Sequence, residues 1–325
     1  MEKIKFLTMA ALATAFFASC SNEDGLPQSN YPADNVVRIT TSIDGMNTRA
    51  SYGGSTAKLS SFGFCINNAG SDKYTYDNIK VTQENGKWNP ATQMLWQNST
   101  TAVDILAYAP YQANGNVKIF GKSDYAFSVT EDQSNAEDYS SDLIVYKQTG
   151  FTPGSELNTS KAVDVAFTHL LSQLNLTIEL RDQFNQDEKK PVTEATVTDV
   201  KVNGTIISSK VDFSASPISV QVDDTQEATA ITPETTEFKA AGKTTDHAAF
   251  NYSAIVIPQT VTAGNFSISF KVDGTDYIWT STSDVNFVSG NKHQLSLLVG
   301  KDVVQVKGIT ATPWGKENIT QGETD

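Results

Sequence analysis

Residues 163–180 read VDVAFTHLLSQLNLTIEL. Val163, Val165 and Phe167 occupy alternate positions, and so do Leu174, Leu176, Ile178 and Leu180. Alternation with period 2 marks a strand with one face in a core, because successive side chains of an extended backbone point to opposite sides. An amphipathic helix would repeat every three or four residues instead. Between the two runs, residues 169–173 read as a bend or a single helical turn.

The same period recurs on both sides. Upstream, residues 36–43 (VVRITTSI) are rich in β-branched side chains and read as a strand. Residues 59–66 place Phe62, Phe64 and Ile66 in alternation, and 103–108 form a further strand. Residues 74–81 are expected to pair with the segment around Trp88 across Asn85 and Gly86. Short strands are expected at 117–120 and 125–129. Residues 143–146 (LIVY) form a short, continuously apolar run, as in a central buried strand. Downstream, 197–207 holds one or two strands, broken at Asn203 and Gly204. Residues 265–272 and 275–282 read as a hairpin across Asp273 and Gly274, the strongest local turn signal in the chain. Strands are also expected at 216–222, 294–299 and 303–309. Residues 223–245 are polar and threonine-rich and read as including a surface loop.

Short strands at regular spacing, with few long helical periods, predict an all-β protein built as antiparallel sandwiches. Residues 147–160 carry Gly150, Pro153 and Gly154 among polar neighbours, and the boundary is placed there. The expected units are an N-terminal sandwich over 35–157 and a C-terminal one over 158–325.

The first residues carry a different message. Lys3 and Lys5 precede an apolar run at 6–18, and the small pair Ala18 and Ser19 precedes Cys20. That pattern describes an export signal over 1–19. The run is shorter than the ~20 residues that a transmembrane helix needs. FFASC fits a lipobox, in which a diacylglycerol joins the Cys20 sulfur and cleavage falls just before it. The alternative is an ordinary secretory signal with an incidental cysteine. Residues 20–34 then read as the lipidated cysteine and an irregular linker with Pro27 and Pro32.

Lysine plus arginine is 24 and aspartate plus glutamate is 37, a net charge of −13 over 325 residues. Nucleic acid is not an expected partner, since phosphate binding needs clustered basic residues. Adsorption to anionic lipid is disfavoured too, so acylated Cys20 would hold the membrane, at ~0.8 kcal/mol per buried CH₂. That leaves Cys65 without an intramolecular partner, in an apolar strand (SFGFCIN) that suits a buried thiol.

No catalytic, cofactor or metal residue is assigned, and an enzyme is not expected. His169, His247 and His293 are too widely separated for a helical metal motif. His169 reads as a packing or hydrogen-bonding residue. There is no GxSxG and no glycine-rich phosphate loop. Glu137 with Asp138, and Asp223 with Asp224, lack EF-hand spacing. Trp96 and Trp279 sit in strand-like apolar settings that suit core packing, whereas Trp88 and Trp314 are candidates for glycan-stacking platforms.

Several segments together resemble the Bacteroidetes fimbrillin family of fimbrial subunits and related lipoproteins. They are the lipobox ending at Cys20, TRA at Thr48, Arg49 and Ala50, and Trp96 followed by an aliphatic strand ending in AYAPY at 107–111. SDLIVY at 141–146, VDVAFTHLLSQLNLTI at 163–178 and IVIPQT at 255–260 follow. SGNKHQLSL at 289–297 and ITATPWG at 309–315 complete the set. Ser21 to Asp24, with two acidic residues, resemble the surface-export signal of Bacteroidetes lipoproteins.

The resemblance implies two transthyretin-like antiparallel β-sandwich domains in series. It implies an outer-membrane, surface-exposed lipoprotein that joins a fimbrium after processing. In pilus-forming members an arginine-specific protease removes the anchor and first strand, and a strand from a neighbouring subunit fills the groove. Carried onto this sequence, the cut falls between Arg49 and Ala50, and 36–43 is the removed strand. Arg38 and Arg181 are rival sites. The incoming strand would come from 303–309 or the tail that follows. The partners would be other fimbrial subunits, with a host protein or glycan as a further ligand. Alternatively, Arg49 is a solvated loop residue, the strand stays, and the protein is a non-polymerising adhesin or glycan-binding lipoprotein.

Overall fold

A computed structural model describes residues 30–43, 51–52, 54–113, 115, 117–184, 191–241 and 247–314. Among these residues the first half holds β1 (Ile39–Ile43), β2 (Ser61–Asn67), β3 (Tyr76–Glu84), β4 (Lys87–Pro90), β5 (Val103–Ala109), β6 (Tyr125–Ser128) and β7 (Ile144–Phe151). There follow β8 (Val163–His169), β9 (Ser172–Leu180), β10 (Val197–Asn203), β11 (Ser208–Asp212), β12 (Ser219–Val222) and β13 (Glu234–Lys239). The last are β14 (Ala248–Val256), β15 (Gln259–Val261), β16 (Ser267–Val272), β17 (Thr275–Thr280), β18 (Val285–Phe287), β19 (Asn291–Gly300) and β20 (Val303–Pro313). The protein is all-β, as the alternation predicts. The link at 170–171 is a bend rather than a helical turn.

A seven-stranded sheet runs in the order β1-β8-β7-β5-β2-β3-β4. A five-stranded sheet runs β13-β14-β9-β19-β20, and three-stranded sheets run β10-β16-β17 and β12-β11-β6. Both predicted hairpin turns form. Asn85 and Gly86 have φ of 52° and 74°, and Asp273 and Gly274 have 51° and 83°. Two successive left-handed residues give the turn whose twist matches that of paired strands.

Two strand pairs depart from the antiparallel expectation. β1 lies parallel to β8, and β9 lies parallel to β19. A parallel pair needs a long crossover, and in each case several intervening strands supply it. Val163–His169 falls after the expected boundary at residue 158, yet it pairs with β1 and β7 of the first sheet. β6, from the first half, pairs with β11 from the second.

Burial explains the layers. Phe62, Phe64, Ile66, Ile105, Ala107, Val163, Val165 and Phe167 share one core with Val37, Ile39 and Ile43. On the other face of the same sheet, Cys65, Leu106 and Tyr108 meet Tyr125, Phe127, Val211 and Phe213. That second core continues between the five-stranded sheet and β10-β16-β17. Both faces of β2 are therefore buried, and Gly63 is required there, since a Cβ would collide with the Tyr108 ring. Residues 117–120 form no strand. The Asp77 carboxylate instead accepts the backbone N–H groups of Ile119 and Phe120, each at 2.8 Å. Residues 223–245, expected to include a surface loop, contain β13.

Candidate functional site

β1 is the end strand of the seven-stranded sheet, and among the described residues β8 is its only ladder partner. Val163 N–H donates to the Arg38 carbonyl at 2.8 Å. In a parallel ladder alternate residues bond to the same neighbour, so the N–H groups of Val165 and Phe167 also point at β1. On its other side β8 meets β7 only at His169 and Thr168. Without β1, most of β8 would lose its ladder.

Side chains seat β1 as well. Val37, Ile39 and Ile43 are buried in the first core. Burial of three such side chains contributes roughly 5–9 kcal/mol, taken as an upper figure. That rivals the whole net stability of an ordinary domain, ~5–15 kcal/mol. A nick after β1 would therefore leave the strand bound until another strand displaced it.

The far end of the same sheet comes round to meet β1. Trp88 of β4 donates its Nε1–H to Thr41 Oγ1 at 2.9 Å. Its ring packs edge-on against Phe62 at 5.0 Å, and Phe62 meets Phe167 at 5.4 Å. The sheet thus coils about its core and closes at a Trp88–Thr41 seam. Beside the seam lies a cleft of about 810 Å³, lined by Arg38, Thr40, Gln83, Trp88 and Asn89 among others. Arg38, one rival cut site, pairs with Asp34 at 2.6 Å, and that bond is the main reason the Asp34 carboxyl is held down to about 2.

β20 behaves in the opposite way. It closes the edge of the five-stranded sheet on β19. Val304, Val306, Ile309 and Ala311 face the same side as the buried His293, Leu295, Leu297 and Val299. Even so, only Val304 and Thr312 of this strand are half-buried, while Val303 and Val306 are 46% exposed and Ile309 is 40% exposed. β20 is held mainly by its backbone ladder.

A third feature joins segments from across the chain. Asp142 is fully buried. Its Oδ2 accepts Ser51 Oγ–H at 2.7 Å and the Tyr52 N–H at 2.8 Å. Its Oδ1 lies 2.8 Å from His169 Nδ1. The His169 ring in turn stacks on Trp314 at 3.9 Å and 4°. Lys292 Nζ lies 5.7 Å from the Trp314 ring centre, and burial lowers its pKa. Ser51 Oγ–H and the Tyr52 N–H both end on one carboxylate oxygen, so Asp142 clamps residues 51–52 to His169. Tyr52 also stacks on Tyr139 at 5.4 Å. Four segments quoted in the sequence analysis meet here, joined by Ser51 and Tyr52. Asp142 was not singled out there. The signal that marks it is an aspartate directly before the apolar run 143–146, where it is carried into the interior.

Of the expected site residues, Cys20, Arg49 and Ala50 lie outside the described residues, as do 1–19. Trp314 is buried on His169 and offers no open platform, while Trp88 is half-buried at the cleft. Trp96 is buried and stacks on Phe151 at 5.7 Å, and Trp279 meets Phe266 edge-on at 6.2 Å. Every stacked ring pair among the described residues has a buried member. Cys65 is buried, and its sulfur accepts the Asn78 N–H at 3.2 Å. Burial pushes its thiol pKa up. His169 packs and hydrogen-bonds, as its setting predicts. His293 Nε2 accepts the Val288 N–H at 3.1 Å, and burial lowers its pKa. Among the described residues no group of three or more His, Cys, Asp or Glu is placed to hold a metal.

Comparison with solved structures bears on the fold. A candidate cell adhesion protein from Bacteroides ovatus matches with a TM-score of 0.60 at 14% identity, covering 87% of this chain and 99% of its own. A candidate cell adhesion protein from Bacteroides uniformis matches at 0.53 and 19% identity, covering 86% and 100%. A fimbrial protein from Bacteroides vulgatus matches at 0.52 and 16% identity, covering 85% and 99%. No curated protein matches the chain. The profile of the fimbrillin-like family matches residues 48–314. With that profile spanning both halves of the fold, from the TRA tripeptide to Trp314, the chain belongs to the fimbrillin-like family.

Proposed function

We propose that the protein is a subunit of cell-surface fimbriae, in a structural, anchor or accessory position. It is exported as a lipoprotein on Cys20 and assembled by strand exchange after cleavage between Arg49 and Ala50. The observation that carries this reading is the seat of β1. It is an end strand with one ladder partner and buried apolar side chains, so its departure opens a groove of unpaired backbone along β8. An incoming strand would restore both hydrogen bonds and core contacts. β20 suits the donor role, since it buries little in its own sheet. The tail at 315–325 suits it less, with Ile319 its one large apolar side chain. This reading keeps two transthyretin-like sandwich units, 35–157 and 158–325, with β6 and β8 reaching across the division.

The test is cleavage with an arginine-specific protease, followed by sizing. Chains cut after Arg49 are expected to form head-to-tail oligomers, and Arg49→Ala to remain monomeric. Persistent monomers after verified cleavage and loss of the 20–49 fragment would refute the reading. The Trp88 cleft favours a second reading, a non-polymerising adhesin that binds a host glycan. Oligosaccharides that leave the fluorescence of Trp88 unchanged would count against it.

A further inference from the structure

The same structure holds a contact that restrains the strand proposed as donor. β20 is exposed along nearly its whole length, yet the residue after it, Trp314, is buried. Its N–H donates to the Gly290 carbonyl at 2.7 Å, and its ring lies flat on His169. The indole N–H finds no acceptor among the described residues, so the ring is held by its face. The platform beneath it is firm. Gly290 N–H donates to the Leu171 carbonyl at 2.9 Å, and Ser289 Oγ donates to the Leu170 carbonyl at 2.6 Å. His169 is oriented by Asp142, the same carboxylate that receives Ser51 and Tyr52.

We infer that Trp314 is a latch that pins the far end of β20 to its own sheet, and that Asp142 couples this latch to residues 51–52. The inference rests on the reading that β20 leaves its sheet to enter another subunit. A strand with so little buried surface would otherwise fray from the Trp314 end. The latch keeps it home before assembly. The coupling has a physical route, because loosening Ser51 and Tyr52 removes two of the hydrogen bonds that fix the Asp142 carboxylate under His169. Residues 51–52 stand one residue past the proposed cut, so events there reach the donor strand through the buried series Asp142, His169 and Trp314. No contact between β1 and β20 is needed.

Amide hydrogen exchange on the intact, uncut chain tests it. Trp314→Ala is expected to speed exchange of the β20 amides roughly tenfold or more, the scale of losing one buried aromatic contact. Amides in the β9–β14 ladder are expected to stay as slow as in the wild type. Trp314→Phe keeps a ring on His169 and is expected to restore most of the protection. Asp142→Asn is expected to speed the same β20 amides, and the double variant to be no faster than the faster single one. Should Asp142→Asn not fold, Ser51→Ala reads the same link. β20 exchange within twofold of the wild type in Trp314→Ala would overturn the latch. Fully multiplicative effects of the two substitutions would overturn the coupling. None of these measurements requires cleavage or assembly, so they decide the latch even if the chain never polymerises. If the wild type does polymerise after cleavage, Trp314→Ala is expected to do so faster, and an unchanged rate would remove the latch from assembly while leaving strand exchange intact.

Discussion

Ile39→Ala is the sharpest perturbation of the first strand. Ile39 is buried in the first core and faces Val163 across the β1–β8 ladder. Truncating a buried isoleucine to alanine costs ~2–5 kcal/mol, and an end strand belongs at the low figure because its surroundings can settle into the space. About 2 kcal/mol corresponds to a roughly 30-fold rise in the open population. The structure says where that opening is read. Val163 N–H bonds to β1, and by the parallel pattern so do the N–H groups of Val165 and Phe167. Exchange at these three amides is expected to accelerate about 30-fold at neutral pH. Amides between β2 and β5 are expected to keep their protection, since that ladder is central and buried along most of its length. Unchanged exchange at the three β8 amides would mean that Ile39 does not hold β1 in place. An equal acceleration in β2 and β5 would mean that β1 opens only with the whole sheet.

Two further outcomes follow from the same geometry. Trp88→Phe keeps a ring against Phe62 but removes the bond to Thr41, and is expected to cost about 1 kcal/mol, read as a roughly fivefold acceleration at those β8 amides. His293 has a pKa lowered by burial, so the unfolded chain takes up its proton first as pH falls. Its contribution is whole above the ordinary histidine range and is lost as pH falls through the lowered value. The urea midpoint is expected to drop as pH falls below the ordinary histidine value of about 6.5, and to drop less in His293→Gln, which keeps an acceptor for the Val288 N–H.

Alternation was enough to read most strands. Residues 163–167 and 174–180 fold as their pattern predicts, and both Asn85-Gly86 and Asp273-Gly274 make their hairpins. Neighbour relations were not legible, because a parallel pair such as β1 on β8 joins segments with no local signal between them. β11 escaped notice because only Val211 in SSKVD is apolar, and its strand nature comes from pairing with β6 and β12. Residues 117–120 look like a strand by composition, but Asp77 captures their backbone. The Asp142 clamp is the clearest case. Ser51, Asp142, His169 and Trp314 are far apart in sequence, and only folding shows that one carboxylate holds Ser51 and His169 and that His169 in turn seats Trp314. Trp314 read as a possible sugar platform for the same reason, since nothing local tells that its face is already covered. The exposure of β20 was equally hidden, as VVQVKGITA has the composition of a buried strand.

The central claim is that β1 is temporary. Mass spectrometry of the protein recovered from assembled surface fibres tests it most directly. The chains are expected to begin at Ala50 and to lack residues 20–49. Fibres built from chains that still begin at lipidated Cys20 and retain β1 would contradict it.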